Sequence, residues 1–138
     1  MNKTVKLGDG PEVSRIGYGT MQLPGKGVWG ESEDPAGAVE VLRKAVELGI
    51  DFFDTADSYG PFVAEDLLRE ALHPYDGITV ATKAGLIRTG PGQWHQIGRP
   101  EYLRFALEMS LRRLEVEQID LFQLHRIDSQ VPAEEQIG

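Results

Sequence analysis

The fold is decided by residues 35–72, which read as a helix, a strand and a second helix in succession. The central stretch is Ile50-Asp51-Phe52-Phe53-Asp54-Thr55-Ala56, a short apolar run of the kind that forms a buried strand. The preceding helix, over residues 35–48, repeats apolar side chains at the i, i+3, i+4, i+7 spacing. Asp34 is its predicted N-cap, and Gly49 follows it where a left-handed residue ends a helix.

The same alternation of strand and helix continues along the chain. β-branched or apolar runs predict strands, and apolar stripes at helical spacing predict helices. The further elements are a helix over residues 62–72, a strand over 78–82, a helix from 100, a strand over 119–124 and the first turn of a helix at 131–135. Within the helix over 62–72, we expect Glu65 and Arg69 to pair one turn apart.

The N-terminal part of the sequence predicts a β-hairpin over residues 5–16, because Asp-Gly and Gly-Pro pairs punctuate it. A short strand is predicted around residues 16–20. Residues 23–30 and 88–100 are rich in glycine and proline and are predicted to be long loops. The sequence contains no linker-like tract, so we expect one domain over residues 1–138, with βα units filling residues 16–138.

Alternating strands and helices indicate a parallel sheet with right-handed crossovers. A doubly wound dinucleotide fold and a closed barrel are the two candidates. The former is expected to carry Gly-x-Gly-x-x-Gly after its first strand. The sequence Ile16-Gly17-Tyr18-Gly19-Thr20-Met21 does not complete that pattern. The barrel is therefore favoured, and the fold class is predicted as α/β, of the TIM (β/α)8-barrel type.

Composition narrows the possible partners. The formal net charge of −8 argues against nucleic acid as the main partner, since that partner needs a basic surface. No apolar run is long enough to span a membrane, and the first residues lack a secretory signal. The absence of cysteine excludes disulfides and thiolate chemistry. We therefore expect a cytoplasmic protein, and we see no clear set of metal ligands.

Polar residues stand where three predicted strands end. Asp54, Lys83 and His125 end the second, third and fourth strands of the predicted parallel sheet, and Tyr59 follows in the loop after Asp54. In a TIM barrel, catalytic residues lie at the carboxyl ends of the strands. Each residue also has a purely structural interpretation. Asp54 could cap the turn after its strand, and Lys83 could be a surface lysine. Tyr59 could be a packing residue, and His125 could form a polar cluster with its neighbours.

Together the four side chains make a coherent proton donor. A phenol normally keeps its proton to a pKa of about 10, and a nearby ammonium lowers that pKa. Lys83 would supply the ammonium, Asp54 would orient it, and His125 would hold a carbonyl oxygen. Tyr59 could then protonate that oxygen as hydride reaches the carbon. A Schiff base on Lys83 is the alternative chemistry.

These residues stand in motifs that resemble the aldo-keto reductase family. The segment from Gly49 to Gly60 is similar to the family signature around its catalytic aspartate and tyrosine. Thr82-Lys83 resembles the strand-end lysine, and Leu124-His125-Arg126-Ile127-Asp128 resembles the histidine motif. The resemblance covers nearly the whole chain in order, including the opening hairpin.

The resemblance implies a (β/α)8 barrel that binds NADP(H) without a Rossmann domain. It implies Tyr59 as general acid, Lys83 and Asp54 as its electrostatic support, and His125 as the residue that orients the carbonyl. The expected neighbours of the nicotinamide are Gly19, Thr20, Met21 and Asp54.

The number of strands and one short motif indicate which part of the family's barrel the chain corresponds to and which substrate to expect. The chain holds four predicted strands of a barrel that has eight, so it corresponds to the N-terminal half and lacks most of the family's cofactor-binding segments. The expected substrate is a small carbonyl compound, an aldehyde such as pyridoxal, because Tyr59-Gly60-Pro61 is similar to the pyridoxal reductase branch. The chain would need the missing half or self-association, and the alternatives are a self-associating half-barrel without turnover and an NADP(H)-binding module.

Overall fold

The computed structural model describes residues 3–138, in which helices alternate with the strands of a central sheet. The elements are β1 (Thr4–Lys6), β2 (Glu12–Ser14), β3 (Tyr18–Gly19), α1 (Pro35–Glu47), β4 (Phe52–Asp54), α2 (Val63–Leu72), β5 (Thr79–Ala84), β6 (Leu86–Gly90), β7 (Gln93–Gln96), α3 (Pro100–Leu114), β8 (Leu121–Leu124) and α4 (Ala133–Ile137). The predicted N-terminal hairpin is confirmed by the antiparallel pairing of β1 with β2.

The central sheet has the strand order β3-β4-β5-β8, and all its pairs are parallel. The strands of this sheet are neighbours in the same order in which they occur along the chain, and every connection between them contains a helix. A doubly wound sheet instead reverses its order at a switch point. The observed order therefore favours the barrel type of the two architectures. Within residues 3–138, β3 and β8 each have one neighbour in this sheet.

The helix that precedes β4 forms as its sequence predicts. The Asp34 carboxylate accepts a hydrogen bond from the Gly37 backbone N–H at 2.9 Å, which satisfies one of the unpaired amides at the start of α1. Gly49 follows the helix with φ of 92°, a conformation that costs glycine little. The residue before α2, Phe62, also has a positive φ, so this helix begins at Val63 rather than at 62.

The main hydrophobic core lies between the sheet, helices α1 and α2 and the last turn of α3. Its largest fully buried apolar side chains are Leu42, Phe53, Leu68 and Leu114. Each side chain of about this size stabilises the fold by roughly 1.5–3 kcal/mol when removed from water. This core fixes β4 and β5 against the helices, and therefore fixes the positions of the residues at their carboxyl ends.

The predicted loop over residues 88–100 is wrong in its first part. Strands β6 and β7 form an antiparallel hairpin there, with Arg88 directly opposite Trp94. Pro91 and Gly92 lie in its turn, and Gly92 has a φ of 66°. A Pro-Gly pair suits the two central positions of a type II turn, so this pair was the sequence signal for the hairpin.

The predicted pairing of Glu65 with Arg69 is also wrong. The Glu65 carboxylate turns into the protein and accepts hydrogen bonds from Arg113 and Thr82, each at 2.6 Å. Arg69 contacts Glu115 instead, at 3.4 Å. Tertiary contacts therefore decide the partners of both side chains. In the part of the chain that the structure describes, no helix is long and apolar enough to cross a membrane.

Candidate active site

The carboxyl ends of β4, β5 and β8 meet at one edge of the sheet, which we call the mouth. Asp54 is the last residue of β4, and Lys83 is the next-to-last residue of β5. His125 follows β8 directly, and its backbone N–H donates to the Ala84 carbonyl at 2.7 Å. Parallel pairing therefore converts three distant positions in the sequence into neighbours.

Lys83 and Asp54 form an ion pair across the mouth. The Lys83 Nζ lies 2.7 Å from Asp54 Oδ2 and donates a second hydrogen bond to the Thr55 carbonyl, also at 2.7 Å. The Lys83 side chain is 13% exposed and that of Asp54 is 38% exposed. Two fixed acceptors give the ammonium one orientation in a partly dry setting, where charge–charge forces are stronger than in water.

Tyr59 is held over this ion pair by the turn between β4 and α2. Its backbone N–H donates to the Ala56 carbonyl at 3.3 Å, and its own carbonyl accepts from Ala64 at 3.1 Å. The side chain is 5% exposed. The Lys83 Nζ lies 5.3 Å from the centre of the phenol ring, and the His125 ring centre lies 5.8 Å from it. The structure therefore brings together all four residues predicted to be catalytic.

The electrostatics of Tyr59 differ from the expected acidification. Burial raises the pKa of Tyr59, and the Asp54 carboxylate raises it further. The phenol has left water, and the Asp54 carboxylate nearby disfavours a second negative charge. Tyr59 therefore holds its proton firmly at neutral pH, as a proton donor must before reaction, but it is not acidified in this state.

His125 is neutral at physiological pH. Burial lowers the pKa of His125 to about 4, with further lowering by Lys83 and Arg126 and an opposing effect of Asp54. Its Nδ1 lies 3.3 Å from the Ser58 hydroxyl oxygen. A neutral imidazole that accepts a hydrogen bond from Ser58 carries its own proton on Nε2 and can donate it to a ligand. The polar cluster considered for His125 is not formed with Asp128, which binds the backbone of Gly98 and Gln130.

The residues predicted to lie near a nicotinamide stand at, or directly after, the carboxyl ends of β3 and β4. Gly19 pairs with Asp54 across β3 and β4, and apart from its two chain neighbours no residue has an atom within 4 Å of the position a side chain would take there. Thr20 is fully buried, and its hydroxyl donates to the Asp54 carbonyl at 3.1 Å. Met21 is exposed and faces the cavity at the mouth. The open space beside Gly19 and the exposed thioether fit a flat apolar ring.

A cavity of about 810 Å³ opens at the mouth, a size suited to a small organic ligand. Its lining includes Met21, Tyr59, Trp94 and His125. Trp94 comes from β7 and packs edge-on against both Tyr59 and His125, with ring centres 6.4 Å apart in each case. The position of Trp94 against Tyr59 and His125 was not predicted from the sequence, because the hairpin that carries it was expected to be a loop.

A second group of charges lies behind the sheet, on the side of the helices. Glu65 is fully buried, and its Oε2 accepts a hydrogen bond from Arg113 Nε. Asp57 is also buried, and its Oδ1 has no hydrogen-bond partner within residues 3–138. Burial raises the pKa of Asp57 to about 7, and the neighbouring Glu65 carboxylate adds to this while Arg113 opposes it. This group was not predicted from the sequence.

Comparison with known proteins places this geometry in one family. The model of the aldo/keto reductase family matches residues 15–138, and the chain belongs to that family. It is 55% identical over 135 residues to an uncharacterized oxidoreductase of Schizosaccharomyces pombe, covering 98% of this chain and 44% of the relative. It is 42% identical over 125 residues to a pyridoxine 4-dehydrogenase of Escherichia coli, covering 88% of this chain and 44% of that protein.

Solved structures confirm the predicted fold class. The aldo-keto reductase AKR11C1 from Bacillus halodurans (holo form) superposes with a TM-score of 0.82 at 34% identity, over 98% of this chain and 44% of that one. The glycerol dehydrogenase AKR11B4 from Gluconobacter oxydans gives 0.82 at 34% identity, over 97% and 42%. The fold is thus the N-terminal half of a TIM-barrel type, and the chain spans less than half the length of these relatives.

Proposed function

We propose that this chain carries the proton donor of an NADP(H)-dependent reductase that converts aldehydes or ketones to alcohols. The observation that carries the proposal is the position of Tyr59 at the wall of the cavity, where its ring centre lies 5.3 Å from the Lys83 Nζ and 5.8 Å from the His125 ring centre. A general acid must be able to approach the oxygen that it protonates. A carbonyl oxygen bound between Tyr59 and His125 would satisfy that requirement.

The proposed proton transfer uses two donors with different roles. The Nε2–H of neutral His125 donates a hydrogen bond to the carbonyl oxygen and fixes its position. The Tyr59 hydroxyl gives its proton to that oxygen when the carbon accepts hydride, so the C=O double bond becomes CH–OH and a phenolate remains. The Lys83 ammonium, 5.3 Å from the ring centre, stabilises this phenolate until water reprotonates it.

The residues at the mouth fit the nicotinamide end of the cofactor. Gly19, Met21 and Asp54 would lie around that ring, with the buried Thr20 supporting Asp54 from behind. NADPH, when bound there, supplies the hydride. We propose that the adenosine phosphates are held by segments outside residues 3–138. Full activity would then require the further βα units that the relatives possess.

The proposed substrate is a small aldehyde, with pyridoxal as the first to test. The similarity to a pyridoxine 4-dehydrogenase supports this choice. The mixed lining of the cavity also supports it, because Trp94 offers an aromatic surface while Asp128, Ser129 and Gln130 offer polar contacts. A flat ring with polar substituents would use both.

The test measures NADPH oxidation by the 138-residue chain, alone and mixed with a separately expressed C-terminal portion of the S. pombe relative. We call the second mixture the supplemented assay. With pyridoxal, the wild-type chain is expected to be active in the supplemented assay, and Tyr59→Phe is expected to lower kcat roughly 10²–10⁴-fold. Tyr102→Phe, on helix α3, is the matched control and should leave kcat unchanged. An unchanged rate for Tyr59→Phe would show that the acid is misassigned.

Other outcomes separate the alternatives. Tight NADPH binding without aldehyde-dependent oxidation would indicate a binding module. A stable complex of two copies in sedimentation, inert to the added C-terminal portion, would indicate a self-associating half-barrel, for which the open edges of β3 and β8 give a physical reason. Borohydride trapping of an aldehyde on Lys83 would indicate Schiff-base chemistry.

A further inference from the structure

Arg88 occupies an unusual position beside the mouth, on the hairpin that the sequence did not predict. In β6 it lies directly opposite Trp94 of β7, so both side chains project from the same face of the hairpin. The Arg88 Cζ lies 3.6 Å from the centre of the Trp94 ring and 5.7 Å from that of Trp29. The guanidinium therefore stacks closely on the tryptophan that lines the cavity.

The same guanidinium donates five hydrogen bonds, all to backbone carbonyls. They join three segments: the loop over residues 23–30, the turn before Tyr59, and the ends of the hairpin. Their acceptors are the carbonyl oxygens of Gly27 at 2.6 Å, Val28, Ser58 at 2.9 Å, Gly90 at 3.3 Å and Gln93 at 2.8 Å. A guanidinium has five N–H donors, so Arg88 uses its complete set.

These contacts connect Arg88 to the proposed acid through two routes. Ser58, whose carbonyl accepts from Arg88 Nη1, directly precedes Tyr59 and has its hydroxyl beside His125 Nδ1. Trp94, on which Arg88 stacks, packs against Tyr59 and His125 and lines the cavity. Arg88 itself is not among the residues that line that cavity.

We propose that Arg88 is a positioning residue that holds Trp94 as a fixed aromatic wall of the mouth, and that this wall selects flat aromatic carbonyl substrates over small aliphatic ones. The inference rests on the proposed function. A substrate ring stacked on Trp94 gains from a wall that is already in place, because no side-chain freedom is lost on binding. A short aliphatic aldehyde has no flat ring to stack on this wall and therefore gains less from it.

Lysine cannot replace this arginine. An ammonium has three donors in a tetrahedral arrangement and no planar face to lie on an indole. Arg88→Lys should therefore behave like Arg88→Met, although it keeps the positive charge. A role for net charge alone at the mouth would instead be preserved by lysine, so the two substitutions separate geometry from charge.

The experiment compares benzaldehyde with propanal in the supplemented assay. For Arg88→Met and Arg88→Lys we expect KM for benzaldehyde to rise roughly tenfold, in line with the strength of a cation–π contact. KM for propanal should change less than about twofold, and kcat for both should fall by a similar, smaller factor. Arg43→Met is the matched control, since Arg43 also donates to two backbone carbonyls, those of Glu70 and Ala71, on an exposed helix surface.

A second readout requires no turnover. In a Trp29→Phe background, acrylamide quenching of the remaining Trp94 fluorescence should increase in Arg88→Met and stay unchanged in Arg43→Met. Equal KM changes for both aldehydes, rescue by Arg88→Lys, or unchanged quenching would each overturn the inference. A wild-type chain without NADPH oxidation would count against the proposed function instead, and the quenching result would still decide whether Arg88 holds Trp94.

Discussion

Strand β5 separates two ion pairs between a basic side chain and a carboxylate. Lys83 and Asp54 form the pair at the mouth, and Arg113 and Glu65 form the pair behind the sheet. Adjacent residues of this strand face opposite sides, so Lys83 reaches the Asp54 carboxylate at the mouth while Thr82 reaches the Glu65 carboxylate behind the sheet. Both pairs are short, with N–O distances of 2.7 Å and 2.6 Å. Distance alone therefore does not tell which pair serves chemistry.

Burial and use of the donors and acceptors do distinguish them. In the pair behind the sheet, Glu65 is 0% exposed, and its two oxygens accept from Thr82 and Arg113. That pair links α2, β5 and α3 and leaves no carboxylate oxygen for a ligand. In the pair at the mouth, Asp54 is over a third exposed, and Lys83 lies beside a buried phenol. We infer that the buried pair stabilises the fold and that the mouth pair serves the proposed reaction.

The largest effect on stability is expected from breaking the buried pair. Arg113→Met leaves the Glu65 carboxylate buried without its cation, which costs about 3–5 kcal/mol of unfolding free energy. Urea denaturation of the chain measures it. Adding Glu65→Gln should recover much of the loss, because an amide needs no counter-charge. Lys44→Met, which breaks an exposed pair with Glu47, is the control and should cost less than about 0.5 kcal/mol. A loss below that of the control would contradict the assignment.

The next largest effect is a pH dependence of the unfolding free energy, caused by Asp57 behind the sheet. Asp57 has a folded pKa of about 7, above its ordinary value of 3.8, so the folded state binds this proton more tightly than the unfolded state. The stability it contributes is present at low pH and is lost as pH rises through 7. From pH 5 to pH 8 the expected loss is on the order of 2 kcal/mol. Asp57→Asn should remove this slope, and a slope that persisted in that variant would have another origin.

A smaller pH dependence of opposite sign is expected from the mouth. His125 has a folded pKa of about 4, below its ordinary value of 6.5, so the folded state binds this proton more weakly. Stability is therefore full above pH 6.5 and falls as pH drops toward 4. Between pH 7 and pH 5 the loss should be on the order of 1 kcal/mol, reduced by the partial exposure of the ring. In the variant His125→Gln, urea denaturation should show that this loss of unfolding free energy at low pH has disappeared. The pH dependence caused by Asp57 should remain.

Much of the fold could be predicted because its signals are local. The apolar stripe of α1, its Asp34 cap and Gly49 after it all lie within one stretch of about fifteen residues. The hairpin of β6 and β7 was missed because glycine and proline within residues 88–100 were read as a loop, although Pro91-Gly92 marks a turn. The partner of Glu65 was missed because Arg113 lies 48 residues away, where spacing along a helix carries no information.

The four candidate catalytic residues could be located for a different reason. In parallel strands the carboxyl ends converge, so Asp54, Lys83 and His125 had to lie near one another once the sheet was parallel. Their electrostatics could not be predicted in the same way. The raised pKa of Tyr59 depends on its burial and on the Asp54 carboxylate, and neither is visible in the sequence. Arg88 was missed because its role requires three segments that meet only after folding.

The central claim is that the ion pair of Lys83 and Asp54 serves proton transfer rather than stability. It is tested most directly by kcat for aldehyde reduction by Lys83→Met in the supplemented assay, measured beside its urea denaturation curve. We predict a fall in kcat of at least roughly 10²-fold with an unfolding free energy within about 1 kcal/mol of wild type. A kcat within threefold of wild type, or a loss of stability as large as that of Arg113→Met, would contradict the account.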